Sequence, residues 1–211
     1  MIRSRFLIMA SLLAAALALV GCNAEPPKTE AVKAPEKREV SLLAARPCLD
    51  RISEMALRWQ SDAMPYHLES QSNAEATGQD GKSTVWEASF ASRSSRTART
   101  FFCSGSRLKE SPAVGVTANR EFPVPAGTTM LTFNISDLQV DSDAVAKLAN
   151  DHGGASLVQK DPKQPVYFEL GVDPKSSKLI WAAVYGQNQK HNLGIGLVDA
   201  TQPKFLGAFR R

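Results

Sequence analysis

Three cysteines, Cys22, Cys48 and Cys103, are the residues of this sequence best suited to covalent chemistry, and their number is odd. No C-x-x-C or C-x-x-C-H spacing occurs, so thioredoxin-like exchange and c-type haem attachment have no support. The histidines, His67, His152 and His191, lack partners at the i+3 or i+4 spacing of a helical metal site, and no metal or other cofactor is expected. Serines are plentiful, but there is no G-x-S-x-G and no Ser/His/Asp set stands out. Asp141, Asp143, Asp151 and Asp161 suit helix capping and solvation better than carboxylate catalysis. Gly194-Ile-Gly196 lacks the third glycine and following helix of a dinucleotide loop and reads as closely packed strand. No catalytic residue is therefore assigned, and the chain reads as a non-enzyme. Arg93, Arg96, Arg99, Arg107 and Lys109 cluster around a predicted hairpin. They form either a solvated loop or a site for an anion or acidic partner.

Cys22 has a different setting. Arg3 and Arg5 precede an uncharged run from Phe6 to Val20, which as a helix spans about 22 Å, short of the ~30 Å hydrocarbon core. That layout is an export signal over residues 1–21. Leu19-Val20-Gly21-Cys22 is similar to a bacterial lipobox, in which the cysteine is acylated and begins the mature chain. Ordinary cleavage after Ala24 is the alternative and would leave a soluble exported protein. Asn23 after the cysteine fits sorting to the outer membrane, facing the periplasm. Residues 22–46 are rich in Ala, Pro, Glu and Lys and read as a tether.

The formal charge of +4 includes the signal. Of 25 basic side chains, loss of Arg3 and Arg5 leaves 23 against 21 acidic ones, too balanced for a nucleic-acid partner. In an oxidising compartment Cys48 and Cys103 are expected to pair, the alternative being two free buried thiols.

The elements that must position these residues are a helix, strands, then a helix and strands again. PCLDRISEMALRW, from Pro47 to Trp59, places Cys48, Ile52, Met55, Ala56 and Trp59 on one helical face. TVWEASFAS (84–92) and RTFFCS (99–104) read as a hairpin. DSDAVAKLANDHGG (141–154) reads as a capped helix with Val145, Leu148 and Ala149 inward, ended by Gly153 and Gly154. Strands are expected at 165–171, 178–186, 193–199 and 204–209. Trp86 and Trp181 sit in similar strands, and 17 residues beyond them lie Cys103 and Val198. The two halves, 47–120 and 121–211, thus read as divergent copies of one α+β unit, a helix on an antiparallel sheet. A bond between Cys48 and Cys103 would staple helix to sheet in the first copy.

The stretches DSDAVAKLANDHGG, LIWAAVYG and LVDATQPKFLGAF resemble the PepSY-like fold, found in tandem in the β-lactamase-inhibitor-protein group of secreted bacterial proteins. The resemblance implies an α+β fold of two tandem repeats and a binding or inhibitory module. Trp86, Phe90, Trp181 and Tyr185 are expected either as core between layers or as an aromatic-lined sheet surface for a partner. The resulting expectation is a lipid-anchored, non-enzymatic envelope protein that recognises a protein or peptide, an envelope hydrolase being one candidate. A structural or assembly lipoprotein of an envelope complex is the alternative.

Overall fold

Apolar positions three and four apart make Ala45–Trp59 a helix, α1, which buries Ala45, Cys48, Leu49, Ile52 and Ala56 along one stripe. The computed structural model describes residues 39–128, 131–188 and 190–209. The predicted signal, Cys22 and the tether as far as residue 38 lie outside these residues. The tether ends earlier than expected at residue 46. Ser41 N–H donates to Gly105 O, Leu43 and Ser83 exchange backbone hydrogen bonds, and α1 already includes Ala45 and Arg46.

Ala44 has no side chain to cap α1, and Pro47 removes one first-turn donor. The first two amides of the helix are met from the other half of the chain. Ser142 Oγ accepts from Ala45 N–H at 2.9 Å, and Asp141 Oδ1 accepts from Arg46 N–H at 3.0 Å. These two residues also open the second helix, α2 (Ser142–Ala149), where Asp141 accepts from Ser142 N–H. One pair of polar side chains therefore serves two helix N-termini. The glycines at 153 and 154 do not end the helical segment as predicted. A π-type turn over Asn150–Gly154, with Gly153 at φ 125°, kinks it, and a short helix α3 (Ala155–Lys160) continues.

The strands are β1 (Met64–Ser70), β2 (Val85–Ser92), β3 (Thr97–Ser104), β4 (Gly115–Ala118) and β5 (Phe122–Pro123) in the first half. Those of the second half are β6 (Val166–Val172), β7 (Leu179–Gly186), β8 (Asn192–Asp199) and β9 (Lys204–Phe209). They form one antiparallel sheet of nine strands, in the order β4-β3-β2-β1-β6-β7-β8-β9, with β5 beside β3. The fold is α+β, and the described residues belong to a single unit. The expected boundary at 120/121 shifts, because β5 still pairs with β3 through Ala98 and Phe122.

Each half is a meander, and the two meet where β1 pairs with β6, Leu68 lying opposite Leu170. The pleat sends alternate side chains to one face. Leu68, Trp86, Ala88, Phe101, Phe168, Leu170, Trp181 and Val198 all point to the face that carries the helices and are buried with them in one core. The disulfide between Cys48 and Cys103 ties α1 to β3 across that core, with Cα atoms 5.6 Å apart.

Candidate functional site

All three helices pack into the same core cluster, so among the described residues no helix covers the opposite face of the sheet. Strand register builds a line of side chains across that face. Thr117 lies opposite Phe102, Phe102 opposite Glu87, and Glu87 opposite Glu69. The line continues from Glu69 to Glu169, Ala182 and Leu197. All seven are half-buried. Three carboxylates thus stand side by side on neighbouring strands, with an apolar shoulder at each end.

Like charges directly opposite each other destabilise a sheet. Some relief is built in. His67 Nε2 lies 3.2 Å from Glu69 Oε2, and Gln71 Nε2 donates to Glu87 Oε2 at 2.9 Å. Burial disfavours charged His67, but the hydrogen bond and charge of Glu69, with the charges of Glu169 and Glu87, outweigh it. The imidazole pKa is held above its ordinary 6.5. Burial raises the Glu87 carboxyl; the Gln71 hydrogen bond offsets part of the rise and the Glu69 charge adds to it. Tyr167, one pleat along β6, is pushed far up by burial and by Glu169 and Glu69, so its phenol stays protonated. Beside the row opens a cleft of about 720 Å³, lined by Glu69, Gln71, Tyr167 and Glu169 and by Lys190 and His191 of the β7–β8 turn.

The residues singled out from sequence are placed differently. Trp86, Phe90, Trp181 and Tyr185 are buried, at 0, 1, 0 and 3 % exposure, so the aromatic-lined surface is corrected to aromatic core. The cause is pleat parity: each shares the helix-facing side with Leu68 and Leu170, where a large ring has most to bury. Tyr185 Oη donates to Asn150 Oδ1 at 2.9 Å, and burial pushes its pKa up to about 12.

The basic cluster separates. Arg93 and Arg96 sit exposed in the β2–β3 turn, while Arg107 and Lys109 follow β3. An eight-residue strand, about 27 Å long, lies between them. Arg99 Nε donates to Asn119 O at 2.7 Å, its guanidinium 5.7 Å from the centre of the Phe101 ring.

His152 stacks on Phe205 with ring centroids 4.1 Å apart, and His191 lies in the β7–β8 turn. Among the described residues no group of three or more His, Cys, Asp or Glu side chains is arranged to hold a metal ion. Gly196 does pack closely: a Cβ there would lie 3.1 Å from the Ala149 Cβ.

The glutamate row was missed in the sequence. Its one local signal is a lone glutamate inside each of two apolar strands, TVWEASF and VYFELG. Nothing local says that Glu87 and Glu169 flank Glu69, which lies on a strand not expected at all. No family model, curated protein or solved structure matches the chain.

Proposed function

We propose that this chain is a lipid-anchored envelope protein that works by binding rather than catalysis, taking a cationic segment of a protein or peptide on the helix-free face of its sheet. One observation carries the reading: Glu87, Glu69 and Glu169 stand in register, half-buried, on three adjacent strands of the helix-free face. Such a row opposes sheet stability, and departures of this kind concentrate at functional sites. Lysine or arginine side chains from a partner would relieve the repulsion, while Phe102 and Leu197 would receive apolar neighbours. The anchor rests on the Leu19-Val20-Gly21-Cys22 motif, and placement at the outer membrane on Asn23.

The reading also takes the two halves as divergent copies of one PepSY-like unit. Its support is a paired feature. Trp86 Nε1 donates to Leu43 O and Trp181 Nε1 to Val140 O, both at 2.8 Å, and each carbonyl lies two residues before a helix. In each half the tryptophan's strand partner is the residue 17 further on, Cys103 or Val198.

The test measures binding of a fluorescein-labelled peptide alternating lysine and leucine to the processed protein. Replacing Glu69, Glu87 and Glu169 together by Gln should abolish binding, whereas Glu54→Gln on the exposed side of α1 should leave it unchanged. Equal binding by the triple variant would sink the docking reading. Palmitate labelling lost in Cys22→Ala tests the anchor separately.

A further inference from the structure

Resting on that docking reading, we propose that His67 is a proton-operated gate: when protonated it holds Glu69 against a cationic partner, and when neutral it yields the carboxylate.

The geometry places it for this. His67 and Glu69 are two apart on β1 and so share the helix-free face, with the imidazole 3.2 Å from the central carboxylate of the row. Their side chains are 36 and 33 % exposed, so a partner can reach both. Across the strands, His67 faces Ser89 on β2 and Gly171 on β6, neither of which carries a charge. Gly171 has no side chain to cover the ring. The acidic groups acting on His67 are Glu69 from its own strand, Glu87 from β2 and Glu169 from β6. Tyr167 of β6 contributes a neutral phenol. Lys190 and His191 of the β7–β8 turn line the same cleft as Glu69 and Glu169.

Imidazole is the side chain whose charge changes in the physiological range. Losing its proton makes the face one unit more negative and removes the charge with which the imidazole held Glu69. A lysine or arginine arriving at Glu69 competes with that proton, so binding and proton release are linked. Affinity for a cation therefore rises with pH through the His67 pKa, and acid releases the partner.

The experiment follows the affinity of the full processed chain for the same lysine–leucine peptide, at fixed ionic strength, from about pH 5 to about pH 8. The wild type should gain about three- to tenfold in affinity across this range. His67→Gln, which can still hydrogen-bond Glu69 but does not titrate there, should bind at the high-pH level throughout. His152→Gln, whose ring stacks on Phe205 on the helix-bearing side of the sheet, should keep the wild-type profile. In parallel, NMR titration of the wild-type His67 ring should show its pKa falling when peptide saturates the face, a readout that needs no variant to fold. A flat wild-type profile, an unchanged profile in His67→Gln, or an imidazole pKa unmoved by peptide would overturn the gate and leave the docking reading standing. No peptide binding at any pH would overturn both.

Discussion

The indole of Trp86 meets that of Trp181 edge-on, with ring centroids 6.3 Å apart and planes at 73°, beneath the two helix N-termini. Each ring also donates to the carbonyl that leads its own half's chain into a helix. The pair therefore fixes both helix starts relative to one sheet and joins the halves through a shared contact. Aromatic pairs of this geometry contribute about 0.5–1.5 kcal/mol beyond their buried area.

Trp181→Ala should destabilise the fold by about 3–5 kcal/mol, as expected for a fully buried ring. Trp181→Phe keeps an aromatic ring but takes away the donor to Val140 O, and should cost about 1–3 kcal/mol. Urea midpoints at an unchanged m-value would measure both. A loss under about 1 kcal/mol for the alanine variant would contradict the core role.

Asp141→Ala should weaken a helix 95 residues away in sequence. Its carboxylate serves the N-termini of α1 and α2 together, so the expected loss is about 1–2 kcal/mol, at the upper end for a cap. Hydrogen exchange should quicken at the Arg46 amide as well as at Ser142. Exposed Asp143, which accepts from Ala144 N–H, provides the comparison: Asp143→Ala should leave the α1 amides unchanged.

Replacing Cys48 and Cys103 together by alanine should cost about 4 kcal/mol, the chain-entropy value for a bond spanning 55 residues. Both sulfurs are buried, at 1 and 2 % residue exposure, so reductant should reach them only as the structure opens. Non-reducing peptide mapping that recovered both thiols free would remove the staple.

Asp199 makes stability depend on pH at the acid end. Burial opposes its ionisation, yet hydrogen bonds from Thr201 N–H, Thr201 Oγ1 and Gln202 Nε2 win and hold its carboxyl below the ordinary 3.8. A carboxyl depressed by folding stabilises above its unfolded pKa and loses that contribution as pH falls through the folded value. The stability gap between wild type and Asp199→Asn should therefore hold steady near neutrality and close below pH 3.8. Melting temperatures across the acid range would show it, and a gap that closed between about pH 6 and pH 8 would refute it.

The elements that could be read locally were those with strong periodicity. The α1 stripe, the β2–β3 hairpin and the last four strands all bury a repeating apolar face, and their ends fall within two residues of expectation. β1 escaped because MPYHLES buries Pro65, Leu68 and Ser70 at uneven spacing, has a proline at its second position and bulges between Pro65 and His67. Its partners on both sides complete it. Ser70 Oγ accepts from Phe168 N–H at 2.9 Å, a bond between residues 98 apart. The kink at Asn150–Gly154 was half legible: two glycines marked a break, but not that Leu157 and Val158 would resume packing on the core.

Taken alone, the sequence pointed to the α+β class, to the pairing of Cys48 with Cys103, and to Trp86 and Trp181 in similar strands. Those features follow from periodicity, composition and internal spacing, which are local or counted along the chain. Which face of each strand meets the helices, and which carboxylates become neighbours, was decided only by tertiary structure. A one-residue change of pleat would turn Trp86 outward and Glu87 inward. On β2 and β7 the parity that buries Trp86, Phe90, Trp181 and Tyr185 among the helices is the one adopted, and the glutamates are left together on the other face. Their adjacency across β2, β1 and β6 is a property of register, and register exists only once the sheet has formed.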